Sequence, residues 1–505
     1  MKKIITLLLL VILIGCNKED HQIKVTLLQL NDVYEIAPLE GGKVGGMARV
    51  ETIHKQLLQE NPNTFMVMAG DFLNPSLIGT IKVNGERVRG KQMIDVMNAM
   101  NFDLVNFGNH EFDLKYKDLQ KRLNESNFQW ISTNAKHRLD STQIKPFYTK
   151  KSEKKIDIPN TYIKEFTDAD GTKIKIGFIG PTINSNPKDY VDYGDFYEDS
   201  KNAYKQLKDK VDVVIGLTHL QQNQDEMLLK MLPEMPLIMG GHEHTNRLIP
   251  IGNGKIAKAD ANAKTVYIHR LTYDTKSKKL AIESELLSIN NKIKEDKNVA
   301  RIVQKWVNLL DDKIKTYIKN PNEVIYFAKE PLDGRDTPIR SMQTNLGQII
   351  ARGMAYGYDD KVDAALVNGG SIRIDDELEG DITAIDIFRV LPYGGSVLKV
   401  QLKGNLLEKV LQYGKLKAGN GAYLQRYNAA FDKQKKQWLI KGKPIDKNKI
   451  YTVAFSDYLL KGYDIPFLKP DNKDIISVYK PKENEMSSDI RKSVINYLKT
   501  LNQKE

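Results

Sequence analysis

The sequence predicts an α/β fold in two domains, and three observations support this prediction. Six apolar runs have the composition of buried strands, and five of them end at an Asp, Asn or His. Helical patterns, such as residues 47–59 and 90–100, lie between several of these runs. A long amphipathic pattern over residues 296–319 separates this part from a second unit. Strands that alternate with helices are typical of layered α/β domains.

The strand ends of the first unit predict a functional site. Ligands gather at the carboxyl ends of the strands in such sheets. Asp, Asn and His side chains together suit Mn, Zn or Fe, and carboxylates can bridge two ions. The runs cover residues 23–30, 65–68, 102–107, 174–179, 211–217 and 237–239, and the candidate residues after them are Asp32, Asp71, Asn109, His110, His219, His242 and His244.

The second unit combines helical and strand patterns. Helices are predicted near residues 346–356 and 406–413, and strands near residues 364–367 and 397–402. The apolar positions of segment 296–319 recur every three or four residues, which predicts one helix that connects the two units.

Composition excludes several classes of protein. The 505 residues are 41% hydrophobic and 28% charged, which argues against global disorder and against a polytopic membrane protein. The formal charge of +12 is spread along the chain and indicates a bias toward anionic partners, although no nucleic acid polymer is expected. One cysteine excludes an intramolecular disulfide and any Cys-rich metal site. The oligomeric state is left open.

The single cysteine, Cys16, closes an N-terminal segment typical of export. Lys2 and Lys3 precede an apolar run at 4–14, which is too short to span a bilayer. The run ends in Leu-Ile-Gly-Cys, which resembles the lipobox of bacterial lipoproteins. The resemblance implies a signal peptide at 1–15, a lipidated tether at 16–22 and a membrane anchor through lipid on Cys16. An ordinary secreted protein is the alternative.

The expected location is therefore the cell envelope, as a lipoprotein on the periplasmic side or at the surface of the outer membrane. The run Lys18-Glu19-Asp20 resembles a surface-export signal of some Gram-negative lipoproteins, and it equally suits a solvated tether.

The order of the polar motifs is more specific than any single residue. It resembles the 5'-nucleotidase and UDP-sugar hydrolase family of calcineurin-like metallophosphoesterases. This resemblance implies a four-layer α/β/β/α domain at 23–295, a connecting helix and linker at 296–324, and an α+β substrate-binding domain at 325–505. The motifs that carry it are Asp32-x-Tyr34, Gly70-Asp71, Gly108-Asn109-His110-Glu111-Phe112-Asp113, Thr218-His219 and Gly241-His242-Glu243-His244.

The resemblance also implies roles for these residues. Two divalent or trivalent ions, Mn, Zn or Fe, are expected, and Asp71 would bridge them. Asp32 and His244 would bind the first ion, whereas Asn109, His219 and His242 would bind the second. His110, paired with Asp113, would orient and stabilise the reacting phosphate as the catalytic dyad.

Tyr34 departs from the family pattern, which usually has a histidine at this position. A free tyrosine has a pKa near 10, so the phenol ligates only a strongly acidic metal such as ferric iron. Three interpretations remain open: Tyr34 ligates iron, it leaves the first metal position weaker or filled by water, or it only packs.

Substrate-binding residues are expected in the second domain. Arg373 follows a Gly-rich loop, and Arg335 and Arg340 precede a helix; all three resemble the family's arginines around the substrate. Tyr393 and Tyr458 resemble the two aromatic faces that clamp a planar base, with Asp464 near the base or ribose.

These features together predict an exported metal-dependent phosphohydrolase that releases phosphate from nucleotides. Alternatives in the same class are hydrolysis of UDP-sugars or of 2',3'-cyclic nucleotides. Alternatives in other classes are a nucleotide-binding lipoprotein of low activity, because of Tyr34, and a surface adhesin or immune-modulating protein that kept the fold.

Overall fold

The computed structural model describes residues 21–152, 154–185, 188–315 and 318–502. The predicted signal peptide, Cys16 and the run Lys18-Glu19-Asp20 lie outside the described residues. Within the described part of the chain, every helix is too short or too polar to cross a membrane.

Two six-stranded sheets form the centre of the N-terminal domain. Four neighbouring strands of each sheet run parallel, and antiparallel strands complete the edges. The first sheet has the spatial order Lys279–Ser288, Thr265–Asp274, Gln22–Leu30, Thr64–Ala69, Leu104–Asn106 and Gln129–Ile131. The second has the order Thr161–Thr167, Lys173–Ile179, Val213–Thr218, Leu237–Gly240, Gly254–Lys258 and Arg247–Ile251.

Apolar side chains bind the two sheets to each other and to helices on both outer faces. Phe65 of the first sheet stacks on Phe178 of the second, with ring centroids 5.7 Å apart. Helices Met47–Glu60, Lys91–Ala99 and Tyr116–Glu125 cover the first sheet, and helices Phe196–Leu207 and Gln222–Met231 cover the second. This arrangement confirms the predicted four layers.

The connecting helix covers Lys297–Ile314, which is shorter than the predicted 296–319. Its first turn is capped by Asp296, whose side chain accepts hydrogen bonds from the backbone N–H of Asn298 and Val299. The predicted apolar stripe is buried against helices Met47–Glu60 and Lys91–Ala99. The helix is therefore packed along the N-terminal domain.

The C-terminal domain is a five-stranded sheet between helices. Its spatial strand order is Leu424–Tyr427, Ala364–Asn368, Ile450–Ser456, Val397–Lys403 and Ile475–Tyr479. Helices Asn345–Tyr356 and Ile490–Asn502 pack on one face, and helix Gly404–Leu416 packs on the other. A ribbon of Val324–Asp333 and Glu377–Thr383 lies beside them, with helices Asp336–Ser341 and Ala384–Val390.

Smaller elements complete the chain. In the N-terminal domain these are helix Leu77–Thr80 and strands Lys82–Val83, Glu86–Arg87, Ala135–Arg138, Ile144–Lys145, Tyr148–Lys151, Lys154–Asp157 and Val191–Tyr193. In the C-terminal domain they are strands Ala429–Asp432, Gln437–Ile440 and Lys443–Pro444.

Candidate metal centre and active site

Residues from five strand ends meet at one edge of the two sheets. Asp32, Asp71 and His219 each present a ligand atom, and the three atoms lie within 4.8 Å of one another. His219 Nε2 is 3.1 Å from Asp71 Oδ2, and His244 Nε2 is 3.5 Å from Asp32 Oδ1. The structure brings these residues together, and their roles as ligands stay predictions.

The backbone of these loops is held in an uncommon conformation. Asp32, Asp71 and His242 have φ values of 53°, 57° and 82°, in the left-handed region. Such residues cost about 1–3 kcal/mol each and cluster at functional sites. Gly108 is equally constrained, because a Cβ at this position would lie 2.0 Å from Asp71 Oδ1.

Glu111 fixes the two loops that carry Asp71 and Asn109. Its buried carboxylate accepts hydrogen bonds from four backbone N–H groups, those of Asp71, Phe72, Leu73 and Gly108, at 2.7–2.9 Å. Burial and the nearby Asp71 carboxylate raise the pKa of Glu111 to about 7. Glu111 is thus a positioning residue, which holds the backbone of the two loops in place.

The unpaired atoms of this cluster fit cations. Asp32 Oδ1 and Asn109 Oδ1 are buried, and no described residue donates a hydrogen bond to either oxygen. His219 Nδ1 lies 2.7 Å from the carbonyl oxygen of Ala69 and donates to it, so Nε2 is the ring nitrogen that faces Asp71 and can bind a cation once it gives up its proton. Oxygen and nitrogen donors of this kind are the ligands expected for Mn, Zn or Fe.

The charge of the cluster also favours cations. Burial alone would lower the pKa of His219, but the Asp71 carboxylate raises it to about 9. Burial opposes protonation of His244 as well, yet Asp375 and Asp32 raise its pKa to about 10. Carboxylates therefore outweigh the other charges here and attract positive charge.

His242 lies beside this cluster as a neutral imidazole. Its backbone N–H donates to Asp32 Oδ2 at 2.9 Å, and its ring centroid is 5.4 Å from that of His219. Burial, followed by the charge of His219, lowers the pKa of His242 to about 4. A neutral imidazole is the form that binds a metal.

Tyr34 directs its hydroxyl group into the cluster. The oxygen is 3.2 Å from His244 Nε2 and 3.4 Å from Asp71 Oδ2, and the residue is 2% exposed. Burial, together with Asp71 and Asp375, raises its pKa well above the usual value. The phenol thus stands among the predicted donors of the first ion but keeps its proton unless a cation displaces it.

The predicted dyad is formed. His110 Nδ1 is 2.8 Å from Asp113 Oδ2, and both side chains are buried. Burial would lower the pKa of His110, yet Asp71 and its hydrogen-bonded carboxylates raise it well above the usual value. Burial would likewise raise the pKa of Asp113, but Arg373 and His110 hold it well below its usual value. The pair is therefore a cation beside an anion.

Arg373 comes from the C-terminal domain and reaches this dyad. Its Nη2 donates to Asp113 Oδ2 at 2.7 Å, and Lys188 Nζ lies 3.1 Å from Asp113 Oδ1. We expected Arg373 at the substrate; in this arrangement its guanidinium binds the second member of the dyad. Its role in substrate binding stays a prediction.

A cavity of about 520 Å³ lies between the two domains beside the dyad. It is lined by His110, His242 and His244 on one side and by Arg335 and Asp375 on the other. Its size suits a small ligand, because such pockets generally measure about 300–1,000 Å³.

The other two predicted arginines are paired with acids. Arg335 contacts both carboxylate oxygens of Asp333 at 2.9 Å and remains partly exposed at the cavity. Arg340 is buried, with Nη2 2.7 Å from Asp336 Oδ1.

The predicted aromatic residues lie on the C-terminal domain. Tyr393 is 51% exposed, and the guanidinium of Arg87 lies 5.7 Å from its ring centroid. The Tyr458 hydroxyl is 3.4 Å from Asp464 Oδ1, and Asn368 Nδ2 donates to Asp464 Oδ2 at 2.8 Å. The base clamp itself stays a prediction.

Three residues of the site had no predicted role. Glu111 stood within a quoted motif, and its buried acid after Gly-Asn-His was the available signal. Asp375 follows Arg373 by two residues, but nothing in the sequence indicates that it reaches His110. Lys258 ends a strand and gave no signal, although it is fully buried behind the loops of His219 and His242.

Known proteins share both halves of this architecture. The family model for the calcineurin-like phosphoesterase matches residues 25–246, and the model for the 5'-nucleotidase C-terminal domain matches residues 324–469. The trifunctional nucleotide phosphoesterase protein YfkN of Bacillus subtilis is 27% identical over 413 residues, which are 75% of this chain and 27% of that protein. The 5'-nucleotidase of Mus musculus is 24% identical over 480 residues, covering 83% and 78% of the two chains.

A solved structure has the same fold over nearly the whole chain. The 5'-nucleotidase precursor from Thermus thermophilus superposes with a TM-score of 0.67 at 23% identity, covering 95% of this chain and 97% of that one. Both domains thus match in order and in fold, and the chain is a phosphoric ester hydrolase that belongs to the 5'-nucleotidase family of calcineurin-like metallophosphoesterases.

Proposed function

We propose that this protein releases phosphate from nucleotides by two-metal hydrolysis in the cell envelope. The observation that carries the proposal is the position of His110, which lines the cavity, pairs with Asp113 and donates its backbone N–H to Asp71 at 2.7 Å. Asp71 belongs to the buried cluster of donors that also includes Asp32 and His219. The names of the similar proteins, a nucleotide phosphoesterase and a 5'-nucleotidase, support nucleotides as the substrate class.

Two ions held by this donor set would polarise the phosphoryl group and lower the pKa of a water molecule to near neutral. Asp71 would be shared between the ions, because its Oδ2 faces both His219 and Tyr34. His110, as a cation, would bind the phosphate oxygens and balance the negative charge that develops on them. Asp113 would keep the imidazole oriented and protonated.

The C-terminal domain would hold the rest of the substrate. Tyr393 offers an exposed ring, and base stacking on an aromatic ring is worth about 1–3 kcal/mol with little discrimination between bases. Because stacking discriminates little between bases, UDP-sugars and 2',3'-cyclic nucleotides remain alternative substrates. The broader activity named for YfkN is compatible with them.

We also place the enzyme in the envelope as a lipoprotein anchored through Cys16, as the lipobox resemblance implies. Incorporation of labelled palmitate into the wild type, but not into Cys16→Ser, is the expected result. Equal labelling of both proteins would contradict the anchor.

The central test compares phosphate release by the wild type with phosphate release by a variant that lacks the His110 side chain. The metal-free protein is supplied with Mn, Zn, Co or Fe and given AMP, UDP-glucose, cyclic AMP or a 2',3'-cyclic nucleotide. We expect His110→Ala to lower turnover by about 10²–10³-fold and to keep the bound metal, because in the proposed mechanism His110 would bind phosphate and no ion. His137→Ala serves as the control, since this other buried histidine stacks on Tyr116 away from the cavity. A wild type that releases no phosphate from any substrate would contradict the proposal, and loss of metal from His110→Ala would contradict its role.

Tyr34 provides a second test, on the first ion. Because a phenol is a weaker ligand than imidazole for Mn or Zn, we expect Tyr34→His to bind Mn more tightly and to release phosphate faster than the wild type. Tyr34→Phe should bind Mn about as well as the wild type does. A visible charge-transfer band in the iron-loaded wild type that disappears in Tyr34→Phe would contradict this expectation. Such a band would identify Tyr34 as an iron ligand.

A further inference from the structure

One acidic side chain of the C-terminal domain enters the donor cluster of the N-terminal domain. Asp375 Oδ2 lies 3.2 Å from Tyr34 Oη, 3.4 Å from His244 Nε2 and 3.2 Å from His110 Nε2. All three partners belong to the other domain, so this single oxygen joins the two domains at the reacting centre.

The local backbone is built to hold Asp375 in this position. Its φ of 46° is in the left-handed region, which an aspartate adopts at a cost in energy and which is common at functional sites. Its Oδ1 accepts a hydrogen bond from the backbone N–H of Asp336 at 2.6 Å. One oxygen is therefore anchored within the C-terminal domain, and the other is presented across the interface.

The presented oxygen belongs to a carboxylate. The groups that face it are the phenol hydroxyl of Tyr34 and the Nε2 atoms of His244 and His110. This carboxylate oxygen has no hydrogen-bond donor in the described part of the C-terminal domain, and it is suited to bind a cation held by the N-terminal domain.

We propose that Asp375 is a metal ligand, supplied by the C-terminal domain to the ion that Asp32 and His244 bind. The spacing supports this role, since neighbouring ligands of one ion, each about 2.0–2.2 Å from it, stand about 3 Å apart. Its distances to Tyr34 and His244 are 3.2 and 3.4 Å. The carboxylate would compensate for the weak phenol at position 34.

This inference rests on the metal centre of the proposed function and extends it to domain closure. The oxygen that faces the first ion also faces His110, the group expected to hold phosphate. Substrate phosphate and Asp375 therefore compete for one place beside His110. Binding of the first ion favours the contact that Asp375 makes between the domains, and entry of phosphate releases Asp375.

The experiment compares Asp375→Asn with Asp376→Asn in Mn²⁺ titrations of the metal-free, full-length protein without substrate. Asparagine tolerates the left-handed backbone and keeps the oxygen that accepts from Asp336. Asp376 is a matched control, because its carboxylate also crosses the interface, at 3.3 Å from Asn262 Nδ2 and 3.3 Å from Lys264 Nζ, but faces no predicted ligand. Should Asp375→Asn fail to fold, Asp375→Gly removes the side chain and suits the same φ.

We expect Asp375→Asn to weaken one of two Mn²⁺ sites by about tenfold or more, and Asp376→Asn to leave both within about twofold. In solution scattering, Mn²⁺ should make the wild type more compact and Asp375→Asn less so. Unchanged affinity in Asp375→Asn, or equal weakening in both variants, would overturn the inference. If two Mn²⁺ sites and the expected weakening are found but no nucleotide releases phosphate, the result contradicts the proposed function and leaves the inference about Asp375 intact.

Discussion

Glu111→Gln will lower phosphate release by about a hundredfold and deplete the bound metal, although Glu111 is expected to touch neither substrate nor ion. Its two carboxylate oxygens accept from four backbone N–H groups, and an amide has only one oxygen. The amide NH₂ would face two of these donors, and each buried group left unpaired costs about 1–3 kcal/mol. The loops of Asp71 and Asn109 would therefore move, and a misplacement of about 1 Å can cost 10²-fold in rate.

Turnover and metal content measured together check this prediction, with thermal unfolding to establish that the variant folds. Glu51→Gln is the matched control, since Glu51 is an equally buried glutamate on helix Met47–Glu60 and pairs with His54. We expect that variant to keep activity and metal near wild-type values. Full metal content and full turnover in Glu111→Gln would contradict the prediction, because they would show that the loops of Asp71 and Asn109 keep their positions without the Glu111 carboxylate.

The strand-end pattern predicted which polar residues of the N-terminal domain come together. Asp32 and His219 each follow an apolar run, and both lie at the carboxyl ends of parallel strands in the structure. Side-chain type, periodicity and the end of a strand are local properties, so they can be recognised before the fold is known. The apolar stripe of the connecting helix is local in the same sense and predicted a buried face correctly.

The remainder depends on contacts between distant residues. The stripe indicated burial but not the surface that buries it, which is formed by helices Met47–Glu60 and Lys91–Ala99 of the N-terminal domain. Arg373 and Asp375 are two residues apart, yet they meet Asp113 and His110, which lie 260 and 265 residues earlier. No local pattern distinguishes a side chain that stays in its own domain from one that crosses to the other.

Lys258 illustrates the same limit and has the largest expected effect on stability. It looks like an ordinary strand lysine, but its ammonium group is fully buried. It donates to the carbonyl oxygens of Leu220 and Gly241 at 2.7 and 2.8 Å and pairs with Asp225 and Glu243. One cation thus holds the loop after His219 against the loop before His242.

Lys258→Met should lower the free energy of unfolding by about 3–5 kcal/mol, because it leaves the buried carboxylate of Asp225 without its cation. Denaturant unfolding measures this loss. Lys201→Met is the control, since Lys201 pairs with Glu198 at the surface and should change stability by less than about 1 kcal/mol.

The double variant Lys258→Met with Asp225→Leu separates stability from positioning. Removing both charges should restore much of the stability, because a buried ion pair and an apolar pair of similar volume are often equivalent. Phosphate release should be low in the single and in the double variant, since in both the carbonyl oxygens of Leu220 and Gly241 lack the donor that joins the two loops. A double variant with wild-type turnover would show that Lys258 only neutralises Asp225 and positions neither histidine.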